Sequence, residues 1–211
     1  LVDGQPLLDC LPASKWRDAT RDEMEETERD PPRRKLPDNF RQLLTLACRL
    51  CRTLAYVHGK GIVHRDLKPE NVMVRRDGTP LLMDFGLVAQ FRVAGRETVA
   101  SESMAVGTAS YLSPEQAGGQ LVDARADLYT FGIMLYEIVS GRLPFTSWSV
   151  QEILKQHLYE PPPPLSRFVE DCPPRLEELI LRLLEKDPAD RYGYAADVAR
   201  QLLELGAEPD P

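Results

Sequence analysis

Long apolar runs are missing from this chain, and so is any excess of positive charge. No stretch of its 211 residues approaches the ~20 apolar residues a helix needs to cross a bilayer. The opening LVDGQPLLDC has no basic segment followed by an apolar one, so it lacks the signal-peptide pattern. Acidic side chains outnumber basic ones, 33 to 26, and the net charge of −7 removes the usual reason to expect a nucleic-acid partner. Cysteines are few: Cys10, Cys48, Cys51 and Cys172 are too scattered for a disulfide framework, and a reducing cytoplasm is expected. Cys48 and Cys51 form a C-x-x-C, but no second pair or histidine cluster completes a zinc site. They fall in a helical apolar pattern and read as two small core residues. What is present, 43% hydrophobic residues, suffices for one core, and the length suggests one domain or one and a piece.

The chain divides by composition. Residues 1–14 read as a strand-to-turn segment leading into a helix. Residues 15–37 are a polar block: between Arg17 and Lys35, 13 of 19 side chains are charged, with the signs mixed. A short solvated helix around 18–29, ended by Pro31 and Pro32, is compatible with this spacing. The block reads as a charged surface insertion. Apolar residues from Phe40 to Val57 then recur at three- and four-residue steps, predicting a helix over 38–59 with Asp38 as its cap and Gly59 and Gly61 at its end. Ile62-Val63 and Val72-Met73-Val74 predict short strands, and Asp77-Gly78 a hairpin turn between 72–76 and 79–83. Residues 87–112 predict a loop. Helices are expected at 127–140, 149–157, 175–186 and 194–205, and Pro161–Pro164 as a stiff connection. Residues 206–211 read as a tail.

One stretch organises all of this. His64-Arg-Asp-Leu-Lys-Pro-Glu-Asn71 is followed, after the β-rich bridge, by Asp84-Phe85-Gly86. An H-R-D-x-x-x-x-N followed at this distance by D-F-G is a two-part signature of fixed order. Gly107-Thr108-Ala-Ser-Tyr-Leu-Ser-Pro-Glu115 follows, and then Asp187-Pro-Ala-Asp-Arg191. With these motifs the chain resembles the protein kinase family, and the Lys68 of Asp-Leu-Lys-Pro-Glu-Asn resembles its Ser/Thr branch. The wording of 111–116, 123–129 and 141–145 is closest to the eukaryotic-like Ser/Thr kinases of bacteria.

The resemblance implies a chemistry. Phosphoryl transfer asks a protein for positioning and charge neutralisation more than for covalent catalysis. Asp66 would be the catalytic base, and Lys68 a point charge for the γ-phosphate of ATP. Asn71 and Asp84 would offer hard oxygen ligands to Mg2+. Thr108 would hydrogen-bond Asp66 and Lys68. Arg65 would hold a phosphorylated residue of the activation segment, with Ser101, Ser103 and Thr98 available there. Glu115 would pair with Arg191. Asp127 would hold the catalytic-loop backbone, His64 and Phe85 would stack, and Gly86 completes the metal-binding motif. Val2, at the end of the interlobe hinge, would meet the adenine, and Leu7 and Met73 would form its floor.

The resemblance covers only the larger lobe. The implied fold is mainly α (α+β): a helical C-lobe bundle over residues 38–205, with short β-hairpins around the catalytic loop and no N-lobe sheet. No G-x-G-x-x-G and no V-A-I-K lysine precede His64. The expectation is therefore part of a longer ATP-dependent kinase that acts on protein Ser/Thr hydroxyls. Its N-lobe would lie before Leu1, and the isolated piece would be close to inactive. The alternative is a truncated or pseudokinase-like binding module. A face carrying Leu7, Met73 and Phe85 is expected to await the small lobe.

Overall fold

A computed structural model describes residues 4–7, 33–85 and 106–209. The core is built around a helix with almost no solvent face. This is α4, Ala124–Ser140, in which every residue from Ala126 to Ser140 is buried. The order along the chain is β1 (Gly4–Pro6), α1 (Phe40–Gly59), β2 (Val72–Arg75), β3 (Pro80–Leu82), α2 (Val106–Ala109), α3 (Pro114–Ala117), α4, α5 (Val150–Tyr159), α6 (Pro174–Leu183) and α7 (Ala195–Glu204). Helices dominate, as expected for a kinase C-lobe. Helix α4 begins a turn earlier than the apolar run suggests, because Asp123 accepts a hydrogen bond from the Arg125 N–H and caps it. Gly141 ends it in the left-handed conformation at φ 74°.

Helix α1 is amphipathic, and its buried stripe includes Leu43, Leu44, Ala47, Leu50, Leu54 and Val57. It packs along α7, and the Cys48 thiol lies 3.5 Å from the Ala199 carbonyl. Cys48 and Cys51 are core residues, and burial pushes the Cys51 thiol up, which keeps it inert. Two local expectations need correction. The cap position of α1 is Asn39, without a side-chain bond, so Asp38 is not the cap. Ile62 and Val63 form no strand, because the Ile62 N–H is spent on the Val57 carbonyl and the Gly61 N–H on that of His58. These two bonds, with Gly61 at φ 74°, form a Schellman motif that turns the chain out of α1.

The three strands form one antiparallel sheet in the order β1-β2-β3, with Pro6 opposite Met73 and Val72 opposite Leu82. Alternation along β2 sends Val72 and Val74 into the core and leaves Met73 half-buried on the other face. Leu7 follows β1 and is only 2% exposed, against Leu43, Leu50, Val72, Phe131 and Met134. It therefore lies under the sheet in the helical core and is not a surface on which adenine could rest. Burying a leucine is worth ~1.5–3 kcal/mol, which an open floor position would forgo. Phe85 is 45% exposed, so of the three side chains expected on the face awaiting a small lobe, Leu7 is the exception.

Of the charged block, only 33–37 is described. Arg34 makes a parallel bridge with Val169: its N–H donates to the Phe168 carbonyl, and its carbonyl accepts from the Glu170 N–H. The segment 161–164 is a connection docked by the Tyr136 hydroxyl, which donates to the Pro163 carbonyl at 3.0 Å. The stretch expected as one loop, 87–112, contains the single-turn helix α2 near its end.

Helix α4 meets α6 at Gly132. A Cβ there would stand 2.7 Å from the Leu183 Cβ and 3.1 Å from the Leu184 Cδ2. Gly132→Ala should gain at most ~1 kcal/mol of helix propensity and lose ~1–3 kcal/mol to overpacking. A lowered urea midpoint at unchanged slope is the expected result. Gly193→Ala, with nothing within 4 Å of its added Cβ, is the near-neutral control.

Candidate active site

The loop from His64 to Asn71 leaves α1 through the Gly61 turn and runs to β2. Its backbone takes an uncommon path: Arg65 has φ 67° without being glycine. The first turn of α4 explains why this persists. Asp127, 1% exposed, accepts the His64 N–H at 2.8 Å on Oδ2 and the Arg65 N–H at 2.9 Å on Oδ1. His58, in the last turn of α1, contacts the same Oδ2 through Nε2 at 2.8 Å. One carboxylate thus joins two helices to the loop.

The Asp66 carboxylate meets Lys68 Nζ at 3.1 and 3.2 Å. Asn71 Nδ2 donates to the Asp66 backbone carbonyl at 2.7 Å and to its Oδ2 at 2.9 Å. Both acceptors lie on the nitrogen side of the amide, which fixes its orientation and turns the Asn71 Oδ1 away from Asp66. The Met83 N–H donates to the Asn71 carbonyl at 2.8 Å, and the His64 Nε2 lies 2.9 Å from the Met83 carbonyl. These bonds bring the start of the Asp84-Phe85 segment beside the loop. Asp84 is exposed and has φ 51°. The His64 and Phe85 rings sit 4.8 Å apart, tilted by 42°. Among the described residues no cluster of three His, Cys, Asp or Glu side chains could hold a metal by itself. An outward Asn71 carbonyl oxygen and an exposed Asp84 carboxylate suit instead a cation that brings its remaining ligands with it.

The segment 106–117 packs against α4 and α5 and reaches the loop through Gln116. Tyr111 Oη donates to Glu137 Oε2 at 2.6 Å, and Thr130 Oγ1 donates to the Tyr111 carbonyl at 2.8 Å. Ser113 caps α3 in a capping box with Gln116. Glu115, 3% exposed, forms a bidentate ion pair with Arg191, 2% exposed, at 2.9 Å for both bonds. The remaining guanidinium N–H groups donate to the carbonyls of Arg125, Glu185 and Lys186, so all five donors are satisfied. The expected bonds from Thr108 to Asp66 and Lys68 are not formed. Thr108 lies within the one-turn helix α2, and Lys68 is engaged by Asp66 itself. Val2, Gly86, Thr98, Ser101 and Ser103 fall outside the described residues.

Two residues here escape motif reading, His58 and Gln116. Gln116 Nε2 donates to the Arg65 carbonyl at 2.6 Å. Only the Ser113-x-x-Gln116 capping spacing hints at its importance, and for His58 nothing beyond its place in the final turn of α1 does.

Beneath this segment lies a buried histidine. His157 Nδ1 contacts the Tyr129 hydroxyl at 2.9 Å, with the Phe145 ring edge-on at 5.0 Å. Burial, reinforced by the nearby Lys186 ammonium, pushes its pKa from 6.5 down to about 3. Desolvation also pulls Lys186 down, to about 8.

The protein kinase domain family matches residues 22–204. Serine/threonine-protein kinase PknB of Mycolicibacterium smegmatis is 39% identical over 172 residues, covering 81% of this chain and 27% of that protein. A probable serine/threonine-protein kinase of Streptomyces coelicolor is 40% identical over 179 residues, covering 85% of this chain and 26% of that protein. The chain therefore spans about a quarter of the length of these relatives. Among solved structures, the kinase domain of Mycobacterium tuberculosis PknI (a C20A_R136A double mutant) superimposes with a TM-score of 0.62 at 26% identity. That match covers 98% of this chain and 64% of the other. No helix among the described residues is long and apolar enough to cross a membrane.

Two stability measurements follow from this geometry. Arg191→Leu leaves Glu115 buried without its counterion and should cost ~3–5 kcal/mol in urea unfolding, with Glu115→Leu added in the double variant recovering part of the loss. For His157, the unfolded chain takes up a proton below pH 6.5 that the folded chain refuses until about 3. Its stabilising contribution is therefore complete above pH 6.5 and falls as the pH drops through that window, by at most ~1.4 kcal/mol per unit. His157→Gln should flatten this part of the stability profile.

Proposed function

The chain belongs to the protein kinase domain family, and from that membership we propose that it supplies the catalytic C-lobe of an ATP- and Mg2+-dependent protein serine/threonine kinase of the bacterial type. The observation that carries the reading is the Asp66 carboxylate, held between Lys68 Nζ and Asn71 Nδ2 on a loop that Asp127 anchors.

In this reading Asp66 accepts the proton of the substrate hydroxyl and orients its oxygen for in-line attack. Lys68 moves from its present contact with Asp66 to the transferring phosphoryl group, where its charge offsets the charge that develops. Asn71 Oδ1 and the Asp84 carboxylate would hold Mg2+, whose charge would neutralise that of the ATP phosphates. Met73, half-buried on the outer sheet face, lies against the adenine, to which Val2 contributes backbone groups. Thr108 contributes to substrate placement, since α2 lies just ahead of the anchored 110–117 segment. Arg65 has a buried Nε without a partner among the described residues, which suits it to receive a phosphate on Ser103, Ser101 or Thr98. Gly86 completes the Asp84-Phe85-Gly86 motif. Protein Ser/Thr hydroxyls are the substrates, the small lobe completes the ATP site, and the reaction takes place in the cytoplasm.

The test is phosphate transfer from labelled ATP to a generic protein substrate by the full-length protein. Asp66→Asn should lower kcat by at least ~100-fold with folding intact. Asp84→Asn should raise the Mg2+ concentration needed for half-maximal rate. Unchanged rates in both variants would overturn the assignment.

A further inference from the structure

The peptide unit between Arg65 and Asp66 is held from outside its own loop. Arg65 is a non-glycine residue at φ 67°, a conformation that costs ~1–3 kcal/mol and persists only where its surroundings fix it. Asp127 holds the two N–H groups just before this unit, those of His64 and Arg65. The carbonyl side belongs to Gln116, whose Nε2 donates to the Arg65 oxygen at 2.6 Å across 51 residues of sequence. Gln116 is not free to turn over. Its Oε1 accepts from the Ser113 N–H and from the Ser113 Oγ, both at 3.1 Å, so the amide nitrogen must face Arg65. A plain capping-box glutamine needs only the Ser113 contact. The second bond reaches the residue immediately before the candidate base. The turn that carries Gln116 is itself tied to the base of the lobe through its neighbour Glu115 and Arg191.

We propose that Gln116 is a positioning residue for phosphoryl transfer: by clamping the Arg65 carbonyl it sets the direction of the Asp66 carboxylate. Asp66 is then aligned only while α3 is seated on Arg191. The inference rests on the reading of Asp66 as the base.

Gln116→Glu isolates the bond. The substitution is isosteric and still accepts from Ser113, so the cap of α3 survives. It puts an acceptor oxygen where Nε2 faces the Arg65 carbonyl. In the full-length protein kcat should fall roughly tenfold to a hundredfold, with KM for ATP within about twofold and the melting temperature nearly unchanged. A protonated carboxyl at this position regains a donor. The facing carbonyl oxygen and partial burial favour the protonated form over the ordinary value of about 4.3, so the rate relative to the parent protein should recover as the pH is lowered from about 7 to about 5. Gln116→Met, which loses all three side-chain bonds, should show no such recovery. A merely structural role predicts instead a loss of rate that follows the melting temperature in both variants and has no pH signature, and that result overturns the proposal. So does a Gln116→Glu rate within about twofold of the parent. The amide nitrogen shift of Asp66 belongs to the clamped peptide unit and reads the contact without any turnover. If the parent protein transfers no phosphate, the kinase assignment fails. An unmoved Asp66 shift in Gln116→Glu would separately refute the clamp.

Discussion

The Asp127 carboxylate is the constraint on which the rest of the site depends. It is buried in the first turn of the most enclosed helix, where an ionised group is tolerable only if its oxygens are satisfied. The partners are the His64 and Arg65 N–H groups and His58. Because those N–H groups point at α4, the loop takes a left-handed step at Arg65, and that step directs Asp66, Lys68 and Asn71 to one place. Moving Asp127 away would remove the reason for the backbone path, and with it the geometry of three side chains that never touch it.

A second anchor works from the opposite side. Glu115 and Arg191 are nearly sealed from solvent, and each spare guanidinium N–H has a backbone carbonyl. A buried pair of this kind contributes less net stability than its charges suggest, since desolvation offsets most of the Coulomb gain. Its value here is positional. It seats the short helix 114–117 on the helical base, so that Gln116 reaches the catalytic loop from a fixed platform. The loop is thus gripped through its N–H groups by α4 and through a carbonyl by α3.

Where expectation and structure part, the reason is either tertiary packing or a competing local bond. The family resemblance implies Leu7 beneath the nucleotide, but apolar burial draws it below the sheet. Ile62 and Val63 have the composition of a strand, yet the Schellman turn at Gly61 uses the backbone group that a ladder would need. Asp38 stands where a cap is expected, and α1 starts one residue beyond Asn39. Thr108 carries the right motif and sits on a helical turn that does not bond it to Asp66. Leu7 depends on which neighbours the chain meets, which a local pattern does not record, whereas at Gly61 and Asn39 one local pattern prevails over another.

By itself the sequence determined the local and the ordered: the helical periodicity of α1, the hairpin at Asp77-Gly78, and the family signature from His64 to Gly86. These are legible because they depend on residues a few positions apart, or on motifs in fixed succession. Only the tertiary structure decided that His58 would share the Asp127 carboxylate from 69 residues away, and that Gln116 would clamp a carbonyl 51 residues away. Such bonds form between groups with no sequence relation to each other. What brings them together is the packing of α3 and α4 against the catalytic loop, and that packing is a property of the whole buried core.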